Sequence, residues 1–367
     1  MKKILLLCET LDPGGAERQV VTDANLLAAN NWNVTLAYWA TGRLVNTINP
    51  AVAQFLITSR NWLGRLVSLY FFCRKGRFDL IHAHLTGANL LASVVGRLLN
   101  IPVIITEHGL GLWRLNELKF RIVVSVTFKL AHTIACVCIA TQTVKIEREN
   151  ADPTKTTIIY NCYSSFAVAK TQISLAARCR HQIRESAIVV GFVGRLIPVK
   201  RLDLLLAVAE IIMEKIPNVI FLIVGDGPDI PELRNQVKKR GLANIFRIVG
   251  PQTDIAQFYE MMDVFVLTSE REAFSVALLE ANASGLPAVV FDVGGNKEIV
   301  VHGETGYVVP FADCEQFADR LTALLADDAL RKKMGSEAKQ RTENNFSQTA
   351  RLKVLDGMYR ETVKEWS

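Results

Sequence analysis

The chain is predicted to be an α/β protein built from two Rossmann-like halves that face each other across a cleft. Three observations carry this expectation. Short β-branched runs alternate with amphipathic helical periods through most of the 367 residues. The alternation lapses once, in "FAVAKTQISLAARCRHQIRES" near 165–186, and then restarts. A chain of this length also favours two domains over one. The expected division is 1–168 for the first domain, 169–186 for a linker and 187–345 for the second domain. Residues 346–367 would form a closing helix packed back toward the first domain.

In the first half, "KILLLCE", "NVTLAYW", "LIHAH", "PVIITEH" and "TIACVCI" read as buried parallel strands. The opening "MKKILLLCETLDPGG" has the basic start and apolar run of a signal peptide. Its run is short and meets Glu9 and Asp12 where a small-residue cleavage site is needed, so it reads as a first strand. Between the strands lie helical periods such as "AERQVVTDANLLAANN" (16–31) and "GANLLASVVGRLLN" (87–100). The second half repeats the scheme with "AIVVGFVG", "VIFLIVG", "IFRIVG", "VFVLTS" and "PAVVFD". In such sheets ligands sit at the carboxyl ends of the strands.

Composition narrows the class. Half of the residues are apolar and 21% are charged, the profile of a soluble globular protein, and no apolar run reaches the roughly 18 residues of a spanning helix. Seven scattered cysteines without a CxxC pair read as free thiols in a reducing cytosol. The net charge of +6 is uneven: residues 1–165 carry 17 basic and 10 acidic side chains, leaving 25 and 26 for the rest. The first half is therefore expected to face something anionic.

The turns at strand ends hold the candidate chemistry. "TLDPGGAER" places Gly14 and Gly15 at the tip of the first helix, where backbone can approach a ligand and the helix N-terminus favours anions. It is not GxGxxG, and the next strand does not end in an acid, which disfavours a nicotinamide cofactor. "GRLIPVK" puts Arg195 and Lys200 after the first strand of the second half, a guanidinium fork and a point charge suited to a diphosphate. "VGDGP" (224–228) reads as a structural turn. "SEREAFSVALLEANASGLP" is the most informative segment, with loop through Ala273 and helix expected from Phe274 to Ala283. Glu272 then precedes the helix, and free N–H groups near Phe274, Ser275 and Val276 can hold phosphate oxygens. Glu280, two turns in, is placed for a ribose diol.

Taken with "GGNKEIVVHGETGYVV" (294–309), these stretches resemble the retaining glycosyltransferases of the GT-B fold, in the group 1 family (family 4). "PGGAER", "GRLIPVK", the E-x7-E of "EAFSVALLE" and the 294–309 segment stand in that family's order and span both halves. The resemblance implies that Gly15 approaches the donor sugar and phosphate, and that Arg195 and Lys200 support the departing diphosphate. Glu272 would touch the transferred sugar, Glu280 the ribose, and His108 of "TEHG" would stand beside the donor sugar. No cofactor and no metal are expected. Two departures are visible: Asn161-Cys162 where relatives often have Asn-Gly, and Lys200-Arg201 where they have Lys-Gly, the latter adding charge near the phosphates.

Other readings of the chain compete with this one. His82 and His84 form an HxH that, with His108, resembles a metal set, but no carboxylate-rich partners and no D-x-D accompany it. A sugar-nucleotide epimerase or a phosphorylase-like enzyme shares the architecture, though no pyridoxal-lysine motif is evident. A catalytically inactive binding subunit is disfavoured by the presence of Arg195, Lys200, Glu272 and Glu280. "RNWLGRLVSLYFFCRKGRF" (60–78) sets Trp62, Leu66, Leu69, Tyr70 and Phe72 among five cations, the composition of a helix at a membrane surface. A second such stretch, 112–131, is expected to pack on the sheet instead. No nucleic-acid platform is recognisable. The expected protein is a cytoplasmic, membrane-peripheral hexosyltransferase-type enzyme acting on a nucleotide-sugar donor and a glycan or glycolipid acceptor.

Overall fold

The computed structural model describes residues 2–111, 117–163, 173–252 and 254–366. Two compact units emerge, one of Met1–Cys162 with Gln348–Ser367, the other of Tyr163–Ser347.

The first unit holds seven strands: β1 (Lys3–Leu7), β2 (Asn33–Tyr38), β3 (Ala53–Leu56), β4 (Leu80–His84), β5 (Val103–Glu107), β6 (Thr133–Cys136) and β7 (Thr156–Ile158). They pair in parallel in the order β3-β2-β1-β4-β5-β6-β7. Helices α1 (Gly15–Ala29), α2 (Trp62–Gly76), α3 (Thr86–Leu99), α4 (Leu118–Leu130) and α5 (Ile139–Glu149) connect them. Ile4 to Leu7 are fully buried, because helices cover both faces of the sheet and each strand must be apolar on both sides.

In the second unit β8 (Ile188–Val193), β9 (Val219–Val224), β10 (Phe246–Gly250), β11 (Val264–Leu267), β12 (Ala288–Phe291) and β13 (Gly306–Val309) pair in parallel as β10-β9-β8-β11-β12-β13. Its helices are α6 (Ile173–Arg180), α7 (Leu202–Lys215), α8 (Ile230–Lys239), α9 (Ala256–Met261), α10 (Val276–Ala283), α11 (Asn296–Ile299), α12 (Cys314–Ala326) and α13 (Asp328–Phe346). Strand order reverses between β1 and β4 in one sheet and between β8 and β11 in the other. These reversals open crevices at the carboxyl ends of the strands.

The expected end of the first domain at 168, and the linker through 172, lie outside the described residues. The remainder of the expected linker belongs to the second unit. The Arg178 guanidinium donates to the carbonyls of Ala187 and Met261 at 3.1 and 2.7 Å and pairs with Asp263 at 3.1 Å, fastening α6 to that unit.

The last helix, α14 (Gln348–Trp366), returns to the first unit. Leu355 and Tyr359 enter the core beside Val20 and Leu27 of α1. Arg351 is 3% exposed, donates to both carboxylate oxygens of the fully buried Asp23 at 2.6 and 2.7 Å, and also to the carbonyls of Ile159 and Tyr160.

On the opposite face of the same sheet α2, α3 and α4 bury Leu69, Leu91, Val95, Val124 and Phe128. Leu66, Leu69, Tyr70 and Phe72, read from sequence as part of a membrane stripe, pack into this core, with Phe72 stacked on Phe55 at 3.7 Å. A different stripe of α2 faces outward, formed by Leu63, Val67 and Phe71 with Trp62. The helix of the second basic stretch packs on the sheet as expected, through Val124 and Phe128, and also presents Leu118, Ile122 and Val126 to the outside. Both helices are apolar on two faces, one used by the core and one not.

The Arg351–Asp23 pair yields a stability test. Arg351→Met leaves the Asp23 carboxylate buried without its partner, and should lower unfolding free energy by about 3–5 kcal/mol in a denaturant titration. Adding Asp23→Asn to that variant should recover part of the loss, since the uncompensated charge is then gone.

Candidate functional site

In the second unit the turns after β8 and β11 meet at the strand-order reversal. The Lys200 ammonium donates to Glu272 Oε1 at 2.5 Å, and Ser269 Oγ donates to the same oxygen at 2.7 Å. Both loops are stitched together by backbone: Glu270 N donates to the Val199 carbonyl at 2.9 Å, and Thr268 Oγ1 to the Lys200 carbonyl at 3.1 Å. Lys200 and Glu272 are thus brought together by the fold, 72 residues apart in sequence. Arg195 lies on the same turn as Lys200, is exposed, and makes no ion pair among the described residues.

A third loop holds Glu272 from the side. Gly294 has φ +52°, and a Cβ on it would stand 1.6 Å from the Glu272 carbonyl oxygen. Gly295 N donates to the Ala273 carbonyl at 2.9 Å. The "GGNKE" stretch therefore sets the position of the Glu272 backbone, a role its composition alone does not disclose.

Helix α10 begins at Val276, two residues later than expected. Ser275 is extended at φ −72°, ψ 113°, and its hydroxyl accepts from Leu278 N at 3.4 Å, so it is the N-cap and ends the non-helical chain. Phe274 and Ser275 consequently precede the helix, and the open N–H groups begin at Val276. The Phe274 ring is buried edge-on against Phe346. Glu280 is 2% exposed, and the hydroxyl of Tyr259 donates to its Oε2 at 2.9 Å. Tyr259 was not found from sequence: it sits on α9, a helix of six residues with no motif.

The departure at Arg201 also resolves. Arg201 adopts the left-handed conformation, φ +48°, which is where a glycine is favoured. Its guanidinium is spent locally on Asp203 at 2.8 Å and Glu270 at 3.8 Å, so it does not add free charge for phosphate, contrary to expectation. Cys162 is not at positive φ among the described residues; its N–H donates to Gln19 Oε1 at 2.9 Å, so no glycine is required there.

In the first unit Gly14 is the N-cap of α1 and Gly15 its exposed first residue, with no atom within 4 Å of a Cβ built there. A Cβ on Gly14 would stand 2.2 Å from Glu17 Oε2. The tip of α1 therefore already carries a carboxylate.

His108 leaves β5 half-buried, its Nε2 hydrogen-bonded to His84 Nδ1 at 2.9 Å. His82 has both ring nitrogens engaged, Nδ1 with the Tyr359 hydroxyl at 2.5 Å and Nε2 with Thr106 Oγ1 at 2.6 Å. That leaves it no lone pair for an ion, and no group of three or more His, Cys, Asp or Glu side chains suited to a metal occurs among the described residues. Burial first, then the charge of Arg351, pushes His108 down to about 3. Burial also lowers His82 and His84 well below the usual histidine range, with Arg351 and the neighbouring rings adding to it. All three imidazoles are neutral at neutral pH.

A cavity of about 540 Å³ opens at the strand-order reversal of this unit, lined by Glu9, Leu85, Gly87, Lys119 and Phe120 among others. Leu85 follows β4 at φ +76°, an uncommon conformation for a bulky residue. It offers α3 no capping side chain, and Glu9 does so from the end of β1, accepting from Gly87 N at 2.6 Å.

Comparison with known proteins agrees with this arrangement. The family model described as "Glycosyl transferases group 1" matches residues 176–341, and that of "Glycosyltransferase Family 4" matches residues 13–164. The chain is similar to a UDP-Gal:alpha-D-GlcNAc-diphosphoundecaprenol alpha-1,3-galactosyltransferase of Escherichia coli, 26% identical over 95% of this chain and 94% of that one. It is 30% identical to a D-inositol 3-phosphate glycosyltransferase of Corynebacterium efficiens over 80% of this chain and 74% of the relative. The crystal structure of Anabaena Alr3699/HepE in complex with UDP-glucose superposes with a TM-score of 0.86 at 22% identity, each chain covered in full, which shows the fold. Two parallel α/β units, the paired Lys200 and Glu272 at a strand-order reversal, and family matches across both halves lead to one conclusion: the chain belongs to the group 1 (family 4) glycosyltransferases of the GT-B fold.

Proposed function

We propose that the protein is a retaining, metal-independent glycosyltransferase of the hexosyltransferase type. It would move a sugar from a nucleoside-diphosphate donor to a growing, lipid-linked glycan of the cell-surface polysaccharide type. The observation that carries this reading is the Lys200–Glu272 pair at the carboxyl ends of β8 and β11, beside the tip of α10. Among the described residues the hydrogen bonds to the Glu272 carboxylate fall on Oε1, which leaves Oε2 for hydroxyls of the transferred sugar. Lys200, Arg195 and the first N–H groups of α10, at Val276, would support the diphosphate as it departs, a stabilisation worth about 2.7–4 kcal/mol per well-placed donor. These positive groups are the reason no metal is invoked. Glu280, steadied by Tyr259, would meet the ribose.

In the first unit Gly15 and His108 would meet the sugar. Because Glu17 already places a carboxylate over Gly14, neutral hydroxyls suit the α1 tip better than phosphate. His108, neutral by virtue of its environment, would act as a hydrogen-bonding ring and not as a cation. With no protein nucleophile assigned, retention would come from acceptor attack on the face the diphosphate leaves. The E. coli relative's name specifies a UDP-sugar donor and a diphosphoundecaprenol-linked acceptor, and the Anabaena structure holds UDP-glucose; both support the donor class, and the first supports a lipid-linked acceptor.

The outer stripes of α2 and α4 support a peripheral membrane site. Leu63, Val67 and Phe71 lie near Arg74 and Lys75, and Leu118, Ile122 and Val126 near Lys119, Arg121 and Lys129, all on the helical layer of one sheet face. Apolar stripes flanked by cations fit the anionic cytoplasmic leaflet. No helix among the described residues is long and apolar enough to cross a membrane.

Three outcomes test this. Glu272→Ala should lower turnover at least about 100-fold, measured as nucleotide released from the productive donor, with the fold intact by circular dichroism; unchanged turnover would remove Glu272 from the site. Activity should persist in excess chelator, and a loss reversed by a divalent cation would contradict the metal-free mechanism. Sedimentation with vesicles of anionic phospholipid should be weakened by Phe71→Ser with Ile122→Ser, and equal binding by this variant and the parent would dismiss the membrane face.

A further inference from the structure

The loop that carries His108 meets one buried cation on both sides of that residue, by an ion pair at Glu107 and by close approach at Gly111. Glu107, the last residue of β5, pairs through Oε2 with the Lys145 ammonium at 3.0 Å, while its Oε1 accepts from Asn89 Nδ2 at 3.0 Å. Lys145, on α5, is 1% exposed and also donates to both carboxylate oxygens of Glu149 at 3.0 and 3.1 Å. Four residues beyond Glu107, Gly111 lies against the same cluster: a Cβ there would stand 2.6 Å from Glu149 Oε1 and 3.0 Å from Lys145 Nζ. Its φ of +68° disfavours a side chain on conformational grounds as well. One ammonium thus holds Glu107 directly and, through Glu149, forms the surface on which Gly111 rests, with His108 between them.

We propose that Lys145 is a positioning residue, whose charge clamp on Glu107 and Gly111 sets the His108 ring against the transferred sugar. The part of this that concerns the sugar rests on the reading of His108 given above. Packing alone does not account for the lysine. Removing an ammonium from water costs several kcal/mol, and a methionine would fill the same space at far lower cost. The cation is retained because two carboxylates need it: burial works against the charged ammonium, but Glu107 and Glu149 outweigh burial and raise its pKa. Burial raises Glu149 in turn, against the pull of Lys145. Without the cation the two acids would no longer share a partner, and the segment from 107 to 111 would keep Asn89 at Glu107 but lose the charge that ties Glu107 to the surface under Gly111. His84, at 2.9 Å, would then be left as the contact orienting the His108 ring.

The test uses the full chain with isotope-labelled histidine, whose six ring signals are few enough to assign by substitution, His108 by His108→Asn. In Lys145→Met the His108 ring signal should shift or broaden while that of His82, fixed by Tyr359 and Thr106, stays in place. Should the buried carboxylates prevent this variant from folding, the neutral combination Glu107→Gln, Lys145→Met and Glu149→Gln removes the clamp without stranding a charge, and the same shift is expected. An unmoved His108 signal in either folded variant overturns the clamp. Turnover should fall roughly 10- to 100-fold with donor KM little changed, the signature of a displaced contact near the reacting centre. A displaced ring with undiminished turnover would leave the clamp standing as structure and overturn the role of His108 toward the sugar. Loss of turnover in Glu272→Ala is independent of both, because that residue lies in the other unit.

Discussion

All strands in both sheets run parallel, so every strand in a sheet delivers its carboxyl end to the same edge. This one constraint decides where chemistry is placed. Glu9, Leu85, His108, Lys200 and Glu272 come from distant parts of the chain, yet each follows closely on the end of a strand. The helices that return the chain fill both faces of the sheet and occupy the space there, leaving the strand-end loops as the places for function. At the strand-order reversals adjacent helices leave in opposite directions, and the loops beside them part. The Lys200–Glu272 pair lies at one reversal and the cavity beside Glu9 at the other.

On this scaffold the buried charges are organised in small closed groups. Arg351 serves Asp23 and two carbonyls, and Lys145 serves two carboxylates. Each group is individually costly to desolvate and is tolerated because its hydrogen bonds are nearly complete. The histidines follow the opposite course. Three rings gathered near Arg351 shed their protons and become neutral hydrogen-bonding partners, so that His108 meets its surroundings as a dipole.

How far the chain could be read without coordinates varied with burial. The central strands were legible because a strand covered on both faces must be a continuous apolar run, as "KILLL" is. Strands β3, β7 and β13 are sheet edges, partly exposed and only three or four residues long, and their mixed composition hid them. Helix α10 starts two residues later than its pattern suggests because Ser275 is at once a plausible helix member and a strong cap. The outward stripe of α2 differs from the one its periodicity suggests because a helix apolar on two faces has no single hydrophobic direction.

The sequence by itself determined the class of fold, the order of the units and the residue types at the strand ends, since these depend on local periodicity and turn chemistry. It also supplied the family, through four short motifs spread over both halves. Only the tertiary structure decided which of those residues meet. Lys200 finds Glu272, Glu9 caps a helix 78 residues away, and Lys145 closes on Glu107. The reason is physical: a charge, a cap or an ion pair acts over a few ångströms, and nothing local in a chain records which distant segment will lie within that reach.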